Sequence, residues 1–145
     1  MQFRKSSHSI YKTEYHLVWI PRYRRKIFVP GVKQYTETIL RHIPQLEPDI
    51  EVLKLNVQLD HVHMVIVVPP RVAVAQVVSY IKSQSAALLK AKFPFLQKVY
   101  HTGDGIWSRG YCVSSVGLNK REILAYVEHQ DHEDRGGQLQ LPLSK

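Results

Sequence analysis

The chain has 145 residues, 44% of them apolar, and its 20 Lys and Arg outnumber 12 Asp and Glu for a formal net charge of +8. That is apolar material for one compact domain, expected over residues 1–145, and too much for a disordered chain. The charge favours polyanions, while the longest apolar run, about Met64 to Val68, is far short of a membrane span.

The amino-terminal MQFRKSSHSIYK has no apolar signal core. The single cysteine, Cys112, excludes an internal disulfide and a multi-cysteine zinc site. A cytoplasmic protein with no membrane partner is expected. Thr13 to Ile20, aromatic and β-branched and stopped by Pro21, predicts a strand. A basic loop, Arg22 to Lys26, follows. Val32 to Ile43 has helical spacing at Tyr35, Ile39 and His42, with Pro44 ending it. Ile50 to Leu59 alternates, with Val52, Lys54 and Asn56 on one face and Leu53, Leu55, Val57 and Leu59 on the other. With the apolar run His61 to Val68 it predicts a tight antiparallel hairpin whose turn lacks glycine.

Pro69 and Pro70 close that strand. Val74 to Phe93 predicts a long helix, apolar at Val77, Val78, Ile81, Ala86, Leu88 and Leu89 and charged at Lys82, Lys90 and Lys92. Ile106 to Val116 reads as another strand. A last helix, about Lys120 to Asp134, starts at Gly117 or Asn119 and ends at Gly136 and Gly137, before a tail from Gln138 to Lys145. The resulting class is α+β: a ferredoxin-like (RRM-like) β-α-β-β-α-β antiparallel sheet with an added carboxy-terminal helix. That fold hosts many functions and decides none.

Two constellations carry chemistry. In an extended Asp60-His61-Val62-His63-Met64 segment, residues two apart point the same way. His61 and His63 then share one face while Val62, Met64 and Ile66 enter the core, and two imidazoles so placed can flank one metal ion. On the last helix, Tyr126 and Gln130 are four apart and share a face. A tyrosine hydroxyl can attack a phosphodiester, although a solution pKa of about 10 means that it needs assistance. Taken singly, the histidines fit surface or core positions of a half-buried strand, and the tyrosine an amphipathic helix margin, better than they fit a site; it is their combination that points to chemistry. Basic residues concentrate at Arg22, Arg24, Arg25 and Lys26, around Tyr23. Lys82 and Arg109, with Lys90, Lys92, Lys120 and Arg121, extend them. Such groups neutralise phosphates, and the tyrosine can stack on an unpaired base.

The chain resembles the single-tyrosine HUH (His-hydrophobic-His) transposases of small bacterial and archaeal insertion sequences, which include REP-associated tyrosine transposases. The matching stretches are the run from Tyr15 to Lys26, Asp60-His61-Val62-His63, Tyr80-Ile81-Lys82, Trp107-Ser108-Arg109-Gly110-Tyr111, and Tyr126 with Gln130. The resemblance implies binding of single-stranded hairpin ends, cleavage by Tyr126 through a 5′-phosphotyrosine, and rejoining by another strand's 3′-OH. It also implies Mg²⁺ or Mn²⁺ held by His61, His63 and Gln130, and a homodimer in which one subunit's tyrosine helix completes the partner's histidine pair. The chain departs from the pattern at Ser83, where glycine is frequent, and at His129, where asparagine is; His129 and His132 are then further donors near Gln130. Alternatives are a domesticated relative that processes genomic palindromic repeats, a non-catalytic ferredoxin-like nucleic-acid-binding module, and a two-histidine phosphoesterase. The last requires two separated His-x-Thr/Ser motifs, whereas the sequence has one pair of histidines and no such repeat.

Overall fold

The computed structural model of the chain describes residues 3–5, 8, 10–43, 49–100 and 105–136. Two short strands, β1 (Arg4–Lys5) and β2 (Ile10–Tyr11), form a small ladder that the sequence patterns did not reveal. The main sheet contains β3 (Glu14–Trp19), β4 (Glu51–Val57), β5 (Val62–Val67) and β6 (Cys112–Ser114) in the spatial order β4-β5-β3-β6. Every pairing is antiparallel, so the expected ferredoxin-like sheet is present. The helices are α1 (Val32–His42), α2 (Val74–Lys92), the short α3 (Phe95–Val99) and α4 (Lys120–Asp134), with a 3-10 turn at Arg22–Arg24.

Alternation divides the sheet's side chains between two layers. Leu17, Trp19, Val62, Met64 and Ile66 join α1 and α2 in the main core. Val18 and Ile20 face the other way, onto Val127 of α4. α4 therefore lies on the face opposite α1 and α2. Asn119 starts α4: its side chain accepts from Glu122 N–H while the Glu122 carboxylate accepts from Asn119 N–H. Gly136, at φ 81°, supplies the left-handed turn past its end.

Several expectations require correction. A bulge between Val52 and Lys54 breaks the alternation of β4. Val52 therefore packs with Leu55 and Val57 against the core while Leu53 is exposed. The strand expected over Ile106 to Val116 is only Cys112–Ser114. Trp107 makes an isolated bridge with Pro21, which has no N–H to extend a ladder. On α2, Leu88 is exposed and Ser85 is buried in the packed face, where its hydroxyl accepts from Trp107 Nε1 at 2.9 Å. On α1 the buried positions are Val32, Thr36, Ile39 and Leu40, whereas His42 faces solvent. Pro44, Gly137 and the tail from Gln138 lie outside the described residues.

Candidate functional site

The β4–β5 hairpin reverses without glycine, closed by Gln58 N–H donating to His61 C=O at 2.9 Å. That turn places Asp60 next to His61, with His63 two residues on and within β5. Both imidazoles are half-buried and line a cavity of about 430 Å³. Its polar wall includes Asn56, Gln58 and Asp60, and its other wall is α4, through Lys120, Ile123, Leu124 and Val127.

The two histidines differ in their hydrogen-bond surroundings. His61 Nδ1 lies 3.0 Å from Asp60 Oδ1, and Arg24 Nε donates to Asp60 Oδ2 at 2.8 Å. His63 Nε2 is buried with no hydrogen-bond partner. Burial lowers the His63 pKa, and the charges of His16, His61 and Lys54 lower it further, so this ring stays neutral to lower pH than usual. Burial alone would raise the Asp60 pKa, but hydrogen bonds and charge from Arg24 and His61 outweigh it and hold the carboxyl below its ordinary range. The His16 ring lies 5.8 Å from that of His63. Sequence reasoning missed His16, although the alternation Glu14, His16, Val18 already places it on this face.

Tyr126 and Gln130 are not brought to this cavity, and neither lines it. Tyr126 packs beside Cys112 and Leu118 around the Val18, Ile20 and Val127 cluster, with its hydroxyl buried and unpartnered. Burial first, then the nearby Cys112 and Asp134, push its pKa up, so the phenol stays protonated. Tyr126 thus packs toward β3 and Cys112 of β6, whereas His63 lies on β5, the other neighbour of β3. Gln130 lies over Gly110, where a Cβ would come within 2.5 Å of the amide oxygen, and its amide nitrogen donates to Asp134 at 3.2 Å. Among the described residues no three His, Cys, Asp or Glu side chains converge to hold a metal. His129 and His132 are exposed.

The basic residues divide by environment. Arg24 is committed to Asp60. Arg25 donates to Val99 C=O and lies over the Tyr23 and Tyr100 rings. The Tyr23 ring is also faced by Arg22 and Arg135. Lys82 is half-buried and donates to the carbonyls of Ser108 and Gly110 at 2.7 and 3.0 Å. Lys26 and Arg109 are exposed. Lys82 and Arg109 also line a second cleft, of about 390 Å³, between α2 and residues 105–111. No helix among the described residues is long and apolar enough to cross a membrane.

A family model described as "Transposase IS200 like" matches residues 9–130. The transposase for insertion sequence element IS200 of Salmonella typhimurium is 33% identical over 137 residues, covering 94% of this chain and 89% of that protein. The ISDra2 transposase TnpA of Deinococcus radiodurans is 30% identical over 135 residues, covering 92% and 95%. A crystal structure of a transposase from Deinococcus radiodurans superposes with a TM-score of 0.80 at 33% identity, covering 88% of this chain and 97% of that one. A REP-associated tyrosine transposase bound to a REP hairpin shares the fold, at a TM-score of 0.51 and 15% identity over 89% and 68% of the two chains.

Proposed function

The chain belongs to the IS200-like transposases, and from that premise we propose that it cleaves and rejoins single-stranded DNA through a covalent tyrosine intermediate, at a site assembled from two copies of the chain. The observation that carries the reading is the division of the chemistry within one chain. The histidine pair opens into a cavity that Tyr126 and Gln130 do not line, and the Tyr126 hydroxyl is buried without a partner. A second copy supplies what the first lacks. The DNA is single-stranded with hairpin ends, in keeping with the REP hairpin bound by the REP-associated relative.

The pocket suits a divalent ion, Mg²⁺ or Mn²⁺. His63 presents a buried, unpartnered Nε2, and His61, whose Nδ1 is turned to Asp60, has Nε2 as its other nitrogen. His61 and His63 of one subunit and the amide oxygen of Gln130 of the partner subunit would hold it. When bound, such an ion polarises a phosphate oxygen and stabilises the charge developing there. The chain's own contribution is the nucleophile. The Tyr126 oxygen bonds to phosphorus, its proton leaves, and the P–O3′ bond breaks to give a 3′-OH and a 5′-phosphotyrosine. Another strand's 3′-OH then attacks that phosphorus and releases Tyr126, so no external energy source enters the balance. The hydroxyl has to leave its buried position for this step.

The expected outcome with labelled hairpin DNA and Mg²⁺ or Mn²⁺ is a covalent protein–DNA adduct on a denaturing gel, absent in Tyr126→Phe. Mixing Tyr126→Phe with His61→Ala restores the adduct, because one subunit keeps the histidine pair and the other the nucleophile. An adduct persisting in Tyr126→Phe removes this tyrosine as nucleophile, and a mixture as inert as its components removes the composite site.

A further inference from the structure

We propose that Asp60 and Arg24 are positioning residues that set the tautomer and orientation of His61, making Arg24 part of the machinery behind the histidine pair rather than a DNA contact. The inference rests on the reading of His61 and His63 as metal ligands. Asp60 divides its two oxygens: Oδ1 faces His61 Nδ1 at 3.0 Å and Oδ2 accepts from Arg24 Nε at 2.8 Å. An ionised carboxylate only accepts, so the proton of the neutral ring belongs on Nδ1 and the lone pair on Nε2. Partners of this kind behind a ligand histidine fix the ring and raise its basicity.

Backbone geometry supports the same role for Arg24. Tyr23 and Arg24 are consecutive non-glycine residues at positive φ, 62° and 55°. Such conformations are costly and persist where the surroundings over-determine them. Here the surroundings do so. Tyr23 N–H donates to Asp134 Oδ2 at 3.0 Å, and Arg135 donates to Tyr23 C=O at 2.7 Å. Arg24 N–H closes the turn on Pro21 C=O at 2.9 Å. The product of this geometry is an Arg24 side chain turned to the hairpin tip at Asp60, 36 residues away in sequence. His63, by contrast, sits inside β5, and its buried Nε2 is left without a hydrogen-bond partner and so open to a ligand.

The test uses the full-length protein, Mn²⁺ as probe and two readouts: Mn²⁺ affinity by calorimetry or EPR, and the His61 tautomer by long-range ¹H–¹⁵N NMR without metal. In Asp60→Ala the Mn²⁺ Kd rises about 10- to 100-fold and His61 loses its Nδ1–H tautomer. Asp60→Asn, which keeps an acceptor oxygen, retains the tautomer and loses less affinity. Arg24→Gln raises the Kd by about two- to fivefold, as for a partly exposed charge pair. A wild-type tautomer and affinity in Asp60→Ala overturn the proposal. Should that variant fail to fold, an unchanged affinity in both Asp60→Asn and Arg24→Gln overturns it. His61→Ala and His63→Ala separate the two claims: if neither weakens Mn²⁺ binding, the ligand reading itself fails. If both do and the Asp60 and Arg24 variants do not, the positioning role alone fails.

Discussion

Lys82 illustrates how a residue type that suggests one role takes another in the fold. It belongs to the basic set expected on DNA, yet its ammonium is spent on the Ser108 and Gly110 carbonyls. Burial depresses its pKa to about 8, against an upward pull from Asp134. The unfolded chain keeps that proton to higher pH than the folded one. Between about 8 and the ordinary value of 10.5, stability therefore rises with pH as the burial penalty is released. Measured against Lys82→Met in urea melts from neutral pH upward, the wild type gains stability across that window, by at most about 1.4 kcal/mol per pH unit. A pH-independent difference between the two would mean that the ammonium is not desolvated. The residues most legible in sequence were His61 and His63, because a period of two survives any placement of the strand. Asp60 was visible only as a neighbour, since its role depends on Arg24 arriving from another turn.

At the scale of elements, α4 is held at both ends by different means. Its start is a local matter, the reciprocal Asn119 and Glu122 cap, and was readable to within a residue or two. Its end is tertiary. Asp134 accepts from Ser108 Oγ at 3.0 Å and from Tyr23 N–H at 3.0 Å, besides Gln130. Ser108 is only 1% exposed, so its hydroxyl has little access to water as a substitute. Asp134→Ala leaves these donors unpaired and should cost about 1–3 kcal/mol in chemical denaturation. Hydrogen exchange should accelerate in α4 and the 3-10 turn more than in β3 and β5. Uniform acceleration across the sheet would show that Asp134 supports the whole fold rather than docking this helix. The shortened β6 belongs to the same scale: apolar and aromatic residues from Ile106 onward suggest a continuous strand, but Pro21 cannot donate to one and Trp107 is drawn to Ser85 on α2.

For the whole molecule, the excess of positive charge becomes a surface only in part. Lys26, Lys54, Arg109, Lys120 and Arg121 are exposed, and Lys120 also lines the histidine cavity. Arg24 and Lys82 have internal partners. Binding of single-stranded hairpin DNA should weaken with added salt, log affinity falling with log salt by about 0.7 for each phosphate neutralised. Anisotropy titrations over a range of KCl measure that slope, and a slope near zero would remove the basic surface from the interface. Lys26→Ala and Arg109→Ala should each reduce it more than Arg24→Gln does.

The ferredoxin-like succession of strands and helices, the added last helix and the pairing of His61 with His63 were legible from periodicity and chain-breaking residues, because burial of alternating side chains and local capping act over a few residues. The family resemblance rested on the same local stretches. Three features were settled by tertiary structure. The bulge at Leu53 re-aimed β4, Asp60 became the link between Arg24 and His61, and Tyr126 came to rest outside the cavity that the histidines line. Each depends on which side chain arrives from a distant element and on which side of α4 meets the sheet, and helical spacing alone does not choose between those sides. Tyr126 and Gln130 share a face in any helix. Whether that face meets the histidines of its own chain is a matter of docking, and in this fold Val127, Ile123 and Leu124 occupy that position instead.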